Sequence, residues 1–205
     1  MNQLPQAILE VLREKRKITV EEYMQLPETN IHMELIDGEL LVYDGQEGNM
    51  PAPKDVHQEV SMTILAFLLR HFHPRQLRSA PTDIHLALGM VVQPDIFWIN
   101  PDNDQCVLMD DGYLHGAPDF VVEILSPKTS AKDRGTKFDL YEQHGVGEYW
   151  IVDPEEQFIE VYIRQDGFLR RQGLYDSTQA FTSKTLNAPV NLADLFASYL
   201  HHKEK

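Results

Sequence analysis

The residues that most constrain the fold are 120–125, with the sequence Phe-Val-Val-Glu-Ile-Leu. A short, nearly continuous apolar run of this kind predicts a β-strand that is covered on both faces. Glu123 interrupts the run, and a buried carboxylate is tolerated only with a partner that offsets its desolvation. The sequence therefore predicts a cation, an arginine or lysine, or a hydrogen-bond network beside Glu123.

A second carboxylate, Asp95, begins the apolar half of another expected strand, over residues 91–99. If the two strands are neighbours, Asp95 and Glu123 form a pair of hard oxygen ligands. Mg²⁺ is usually bound in this way, by one or two carboxylates together with water and a substrate phosphate. Because Asp95 follows Pro94, it also fits a simple turn, where Pro-Asp is common.

Lys137 belongs to a helix expected over residues 131–144, shortly after Glu123 in the chain. A strand, a short loop and a helix place the first helical turns over the end of that strand, so Lys137 is expected beside the carboxylates. A lysine there can orient an attacking water and stabilise charge on a phosphate. A buried ion pair of Glu123 with Lys137 or Arg134 also explains the carboxylate, without catalysis.

The order of helices and strands predicts a mixed α/β (α+β) fold in which a central mixed β-sheet is flanked by helices. Residues 1–17 are expected to form an amphipathic helical appendage, and residues 18–200 a single domain. The other expected features are a capping box of Thr19 with Glu22, a hairpin over 32–43 that turns at Asp37-Gly38, a loop over 44–54, a helix over 55–72, strands over 82–88, near 106–109, over 148–152 and over 158–163, weaker strands within 168–185, and a closing helix over 192–200.

The charge of the chain limits how it can contact nucleic acid. It has 32 acidic and 18 basic residues, which gives a net charge of -14 at pH 7. Affinity for DNA comes largely from lysine and arginine at phosphates, so any DNA contact is expected to be local. Cys106 is the single cysteine, which excludes an internal disulfide and a thiolate metal cluster. The sequence has no long apolar run or secretory signal, so we expect a cytoplasmic protein without membrane contact.

Several motifs occur together in a fixed order: Glu34-Leu35-Ile36-Asp37-Gly38-Glu39-Leu40, His57-Gln58, Gln93-Pro94-Asp95, Ala117-Pro118-Asp119 leading through Glu123 to Ser126-Pro127, Asp133-Arg134-Gly135-x-Lys137, and Glu148-Tyr149-Trp150-Ile151-Val152-Asp153-Pro154. Over residues 18–196 this set resembles the Uma family of "putative restriction endonucleases", which belongs to the PD-(D/E)xK nuclease superfamily. The resemblance implies a restriction-endonuclease-like core. It also implies that Asp95 and Glu123 are the two motif acids.

The resemblance further implies that Glu34 and His57 lie at the edge of the site. Each also has a simpler interpretation, Glu34 as a solvent-facing hairpin residue and His57 as an ordinary residue of a helix N-terminus. The motif lysine of the superfamily falls two residues after the acid, where this chain has Leu125. Lys137 matches the lysine of this family. Lys128 is nearer in sequence but follows Pro127 in an expected loop.

These expectations combine into a hypothesis of a Mg²⁺-dependent (or Mn²⁺-dependent) endonuclease that hydrolyses DNA phosphodiester bonds. Asp95 and Glu123 bind the metal, Lys137 assists the attacking water, and Glu34 and His57 support the site. A homodimer is expected, since nucleases often cut two strands with two sites and two-fold dimers are the commonest assembly. The alternative is a non-catalytic protein that kept the nuclease fold as a binding or scaffold module. The acidic composition and the displaced lysine favour that alternative.

Overall fold

The computed structural model describes residues 4–29, 31–43, 55–126 and 133–197, with Asp55 described by its backbone alone. The helices are α1 (Gln6–Glu14), α2 (Val20–Met24), α3 (Asp55–Leu68), α4 (Thr136–His144) and α5 (Leu192–Leu195). The strands are β1 (Met33–Ile36), β2 (Glu39–Val42), β3 (Leu77–Ser79), β4 (Ile84–Ala87), β5 (Met90–Val92), β6 (Ile96–Trp98), β7 (Val107–Leu108), β8 (Leu114–His115), β9 (Phe120–Ile124), β10 (Glu148–Asp153), β11 (Phe158–Gln165), β12 (Phe168–Asp176), β13 (Ala180–Ser183) and β14 (Ala188–Asn191).

The chain forms two compact units, each made of discontinuous segments. The first unit contains Met1–Ala52, Pro81–Gln93 and Val107–Gly116, and the second contains Pro53–Ala80, Pro94–Cys106 and Ala117–Lys205. The predicted mixed α/β class is confirmed, because each unit has a mixed sheet and few helices. The expected division into an appendage over 1–17 and a domain over 18–200 stays a prediction.

The first unit is a sheet with the strand order β2-β1-β5-β4-β8-β7. Its pairs are antiparallel except β4 and β8, which run parallel. Ile8 and Val11 of α1 pack in one apolar cluster with Leu35 of β1 and Val91 of β5. The amphipathic pattern of the N-terminal residues therefore serves the core of this unit.

Two short-range predictions in the first unit are confirmed. The Thr19 side chain accepts a hydrogen bond from the Glu22 backbone N–H, and the Glu22 side chain accepts one from the Thr19 N–H, which completes the capping box. Asp37 and Gly38 have φ values of 51° and 78° between β1 and β2. Positive φ at both central residues is what a tight two-residue hairpin requires, and Asp-Gly provides it at low cost.

The second unit is built on a mixed sheet with the order β12-β11-β10-β9-β6-β3. Within it β9 and β10 run parallel, and the other neighbours are antiparallel. Val122 and Ile124 of β9 pack with Val60 and Ile64 of α3 in the main apolar cluster. Because side chains alternate along a strand, Glu123 points to the opposite face. The predicted central mixed sheet flanked by helices is confirmed here.

The single strand predicted over 91–99 is wrong. The structure has two strands, β5 in the sheet of the first unit and β6 in the sheet of the second, separated by Gln93-Pro94-Asp95. Pro94 has no N–H to donate to a ladder, so pairing stops there. The carbonyl of Asp95 then accepts from the Ala80 N–H at 3.0 Å. Asp95 thus comes immediately before β6 rather than inside a strand.

Other differences concern the ends of elements and short strands. The helix predicted over 55–72 ends earlier, since α3 ends at Leu68, and α4 ends before Gly145 as expected. The sequence did not predict β3, β8 or β14. The expected loop over 44–54, the helix start at 131–132 and residues 198–200 of the closing helix lie outside the described residues. Within the described chain, no helix is both long and apolar enough to span a membrane.

Candidate active site

Asp95 lies between two neighbouring strands of the second unit. It immediately precedes β6, whose Ile96 pairs with Val122 of β9. Asp95 Oδ2 accepts a hydrogen bond of 2.7 Å from the backbone N–H of Ile124. This bond ties the carboxylate to the C-terminal end of β9, one residue after Glu123.

The carboxylate of Glu123 is almost completely buried and accepts hydrogen bonds from two side chains of α4. Its side chain is 4% exposed, and that of Lys137 is 3% exposed. Lys137 Nζ and Tyr141 Oη donate to the same oxygen, Glu123 Oε1, at 2.8 Å and 2.7 Å. Lys137 and Tyr141 are four residues apart, so they lie on one face of α4. The helix therefore presents both donors to mid-strand Glu123.

Asp133 and Tyr149 continue this buried polar group. Lys137 Nζ lies 3.8 Å from Asp133 Oδ1, and the Tyr149 hydroxyl donates to the backbone carbonyl of Asp133 at 3.0 Å. Burial raises the pKa of Tyr149 well above 10; the charges of Glu123, Asp133 and Asp95 raise it further, and that of Lys137 opposes them. Four charged side chains thus act on one phenol, so they form a single electrostatic cluster.

His57, in the first turn of α3, faces Asp95. Its Nε2 lies 3.5 Å from Asp95 Oδ2. Burial lowers the pKa of His57, but the hydrogen bond and charge of Asp95, helped by the backbone of Ile124 and by Asp133, outweigh burial and raise the pKa overall. His57 therefore holds Asp95 from the side of α3, and it does so best when the ring is protonated.

Glu34 belongs to the first unit, where it contacts Tyr43 and Gln93. The interpretation of Glu34 as a solvent-facing residue is wrong, since it is 0% exposed. Its carboxylate accepts from the Tyr43 hydroxyl at 2.6 Å and from the Gln93 N–H at 3.1 Å. The structure thus brings Asp95, Glu123, Lys137 and His57 together in the second unit.

The alternative partners raised by the sequence are partly decided. Arg134 forms its ion pair with Glu160, at 2.7 Å, rather than with Glu123. The ion pair of Glu123 with Lys137 is present, so a structural and a catalytic role for this pair both remain consistent with the geometry. Lys128 lies outside the described residues.

The donor set fits a hard divalent cation such as Mg²⁺ or Mn²⁺. Asp95 Oδ2 makes both the Ile124 and the His57 contacts. Asp95 Oδ1 accepts no hydrogen bond from the described residues. In Glu123 the two donors share Oε1, and Oε2 takes part in neither bond. Carboxylate oxygens of this kind are the ligands that such hard divalent cations prefer.

Comparison with known proteins identifies the family of this chain. The family model described as "Putative restriction endonuclease", Uma2, matches residues 20–193. The chain belongs to this family. No curated protein matches the sequence.

The Uma2 chain is also similar to a crystal structure of a "putative nuclease belonging to DUF820" from Anabaena variabilis. The two are 22% identical with a TM-score of 0.68, and the alignment covers 88% of this chain and 98% of the other. At this identity the likeness shows the fold alone.

Sequence reasoning on this Uma2 chain missed Tyr141 as a neighbour of Glu123 and gave Asp133 no part in the cluster. The available signal was spacing: Asp133 and Tyr141 lie four residues before and after Lys137. Residues four apart on a helix share a face, so a lysine expected to meet Glu123 should bring both with it. Tyr149 and Trp150 were predicted to be core residues, and both are fully buried.

Proposed function

We propose that this chain is a Mg²⁺-dependent (or Mn²⁺-dependent) endonuclease that hydrolyses phosphodiester bonds in DNA. The observation that carries the proposal is the buried Glu123, which Lys137 and Tyr141 hold close to Asp95, the residue immediately before the neighbouring strand β6. Membership of a restriction endonuclease family makes DNA the natural substrate.

Asp95 and Glu123 would hold the metal ion, which when bound supplies a Lewis acid for the phosphate and acidifies water. The remaining groups prepare the site. Tyr141 fixes the carboxylate of Glu123, and His57 fixes that of Asp95. Lys137 is the candidate for orienting the attacking water and stabilising charge on the phosphate.

The wider surroundings of the site are also part of the proposal. A net charge of -14 opposes a broad phosphate-binding surface, so DNA contact is proposed to be local. Cutting both strands of a duplex would call for two sites, and we propose a homodimer on that ground. The proposed supporting role of Glu34 in the site rests on the family resemblance alone.

The proposal is tested by a cleavage assay with single-stranded, duplex and branched DNA, in Mg²⁺ and in Mn²⁺. Asp95→Asn is the informative variant, because the amide oxygen can still accept from Ile124 N–H and so preserve the local fold. We expect Asp95→Asn to reduce the cleavage rate by about 10²-fold or more, as for loss of a metal ligand or of transition-state charge stabilisation. Asp102→Asn is the matched control, since Asp102 is exposed.

Wild-type protein that cleaves none of these substrates in either metal would contradict the proposal. Equal rates for wild type and Asp95→Asn would also contradict it, because cleavage would then come from another site or a contaminant. Circular dichroism of both variants shows whether a lost rate reflects the site rather than the fold.

A second candidate function is a non-catalytic binding or scaffold protein on the nuclease fold. The observation that favours it is the closed pair of Lys137 with Glu123, at 2.8 Å, which compensates the buried charge without a metal. The two candidates differ in a thermal-stability titration with Mg²⁺. A ligand that binds only the native state raises its stability. No shift for wild type, together with no cleavage, would favour the scaffold function.

A further inference from the structure

The first unit contains a cluster of histidine and aspartate that the proposed nuclease site does not use. His85 of β4, His115 of β8 and Asp111 of the turn before β8 each offer one ligand atom, and these atoms lie within 4.8 Å of one another. All three residues belong to the first unit, so the inference does not depend on the nuclease function.

The backbone holds the two histidines side by side. His85 and His115 are directly paired in the parallel ladder of β4 and β8. Directly paired residues project to the same face of a sheet. Their ring centroids are 4.5 Å apart, and the Gly116 N–H donates to the His85 carbonyl at 2.9 Å.

Asp111 is oriented by the turn that connects β7 to β8. The Gly112 N–H donates to the Met109 carbonyl, and Gly112 has a positive φ of 86°. Asp111 Oδ1 accepts from the Tyr113 N–H at 2.9 Å, which leaves Oδ2 facing His115 Nε2 at 2.7 Å. One carboxylate oxygen is thus fixed by backbone and the other is directed at the histidine.

His85 provides an independent sign of a ligand. The side chain is 7% exposed, and its Nε2 is buried without a hydrogen-bond partner among the described residues. The face of the ring packs against Tyr113 at 5.1 Å and 12°. Buried polar atoms in folded proteins are normally satisfied, so an orphaned one calls for an explanation such as an ion. Coordination through Nε2 would satisfy this atom.

We propose that His85, Asp111 and His115 form a site for a divalent transition-metal ion of the Zn²⁺ class. Two imidazoles and one carboxylate suit such ions, whereas Mg²⁺ prefers oxygen ligands alone. Zn²⁺ lies about 2.0–2.2 Å from nitrogen and oxygen ligands, so ligand atoms must come within about 4.2 Å of one another. The observed separation requires only a small side-chain movement. Asp111 is exposed and His115 half-buried, which leaves the fourth position to water.

The test is calorimetric titration of the metal-free full-length protein with Zn²⁺. We expect one tight equivalent, unchanged by a hundredfold excess of Mg²⁺. Asp111→Asn and His115→Gln should each weaken Zn²⁺ binding at least about tenfold. Both side chains are partly or fully exposed, so these variants are expected to fold, and His85→Gln adds a third variant whose folding is checked by circular dichroism.

Two controls separate this site from other ligands in the chain. His71→Gln removes an exposed histidine elsewhere, and Asp95→Asn removes a carboxylate of the proposed nuclease site; both should leave Zn²⁺ affinity unchanged. No stoichiometric binding to wild type would overturn the proposal. Unaltered Zn²⁺ affinity in both Asp111→Asn and His115→Gln would also overturn it. The same holds if Zn²⁺ affinity is lost in Asp95→Asn instead, or if Mg²⁺ fully displaces Zn²⁺.

Discussion

At position 123 a carboxylate lies in the middle of a buried strand, with Lys137 and Tyr141 on one of its oxygens. Burying a charge is costly, and the short hydrogen bonds from these two donors offset part of that cost. Each donor alone is therefore important for stability, independently of any catalysis. Substitutions of single residues can therefore separate the structural role of this cluster from its proposed catalytic role.

Lys137→Met is predicted to reduce the free energy of unfolding by about 3–5 kcal/mol, because it removes the buried cation that is paired with the carboxylate of Glu123. Adding Glu123→Gln to this variant removes the charge and should restore part of the loss, which a double-mutant cycle in urea denaturation measures. Arg134→Met is the control. The Arg134–Glu160 pair is more exposed, so its loss should cost about 1 kcal/mol or less. Equal losses for Lys137→Met and Arg134→Met would contradict the burial argument.

His57 predicts a pH dependence whose sign follows from its raised pKa. The folded pKa lies above the unfolded value of about 6.5, so protonated His57 stabilises the fold. This stabilisation is fully present below pH 6.5 and is lost as pH rises through the folded pKa. The difference in unfolding free energy between wild type and His57→Gln should therefore shrink from pH 5.5 to pH 8.5.

His144 supplies a control of opposite sign for this measurement. Burial lowers the pKa of His144, so its neutral form is favoured in the fold. Its contribution is present above pH 6.5 and is lost as pH falls through the folded pKa. A His57→Gln profile that runs parallel to the His144→Gln profile would contradict the assignment of the His57–Asp95 contact.

Three members of the candidate site could be named from the sequence because each breaks a local pattern. Glu123 interrupts an apolar run, Asp95 is a carboxylate at the head of another apolar run, and Lys137 follows Glu123 by a strand-to-helix connection. Tyr141 could not be distinguished in this way, since an aromatic residue in a helix usually packs in the core. Its spacing of four residues from Lys137 was the available signal, and the 2.7 Å contact with Glu123 shows what that spacing achieves.

At the scale of elements, α4 carries the donors and its C-terminal end fixes where they lie. The N–H groups of Gly145 and Val146 both donate to the carbonyl of Tyr141. Gly145 has φ of 98°, a left-handed conformation that costs an L-residue with a Cβ about 1 kcal/mol or more. The glycine therefore ends the helix directly after the face that reaches Glu123.

Gly145→Ala is predicted to lower the free energy of unfolding by about 1 kcal/mol. The cost is one of backbone conformation alone, because a Cβ at this position would meet no atom within 4 Å. Gly145→Asn is the control and should cost less, since asparagine adopts left-handed conformations more readily. Urea denaturation of both variants checks the order. If Gly145→Ala and Gly145→Asn lower the free energy of unfolding equally, the backbone at the helix end adjusts and the left-handed conformation is not required.

The elements predicted from sequence are those fixed by near neighbours. The Thr19 capping box, the Asp37-Gly38 hairpin and the strand at 120–125 depend on residues close in the chain, and all are present. The short strands β3, β8 and β14 have two to four residues each, too few to show a period, and their pairing depends on distant partners. The split at Gln93-Pro94-Asp95 was missed for the same reason, since it separates two sheets.

For the molecule as a whole, the net charge of -14 limits how the proposed nuclease can bind DNA. Few phosphates can be neutralised by a chain with so large an acidic excess. Binding should therefore depend on a few local contacts rather than on general attraction, and it should respond weakly to salt.

The logarithm of DNA affinity is predicted to fall with the logarithm of salt concentration with a slope of about -1 to -3, which corresponds to one to three phosphate contacts. Fluorescence anisotropy of a labelled duplex with Asp95→Asn, between 50 and 200 mM KCl, measures this slope without cleavage. A slope steeper than about -5 would show a broad basic surface that the composition argues against.

We propose that Asp95 and Glu123 hold one divalent cation. Anomalous scattering from a crystal soaked in Mn²⁺ tests this proposal most directly. We expect a single strong peak within about 2.0–2.4 Å of an oxygen from each carboxylate, with Tyr141 still hydrogen-bonded to Glu123. The peak should be absent from Asp95→Asn crystals. The metal site would be contradicted if the two carboxylates bound no Mn²⁺ at saturating concentration while Lys137 stayed on Glu123. The Lys137–Glu123 ion pair would then be purely structural.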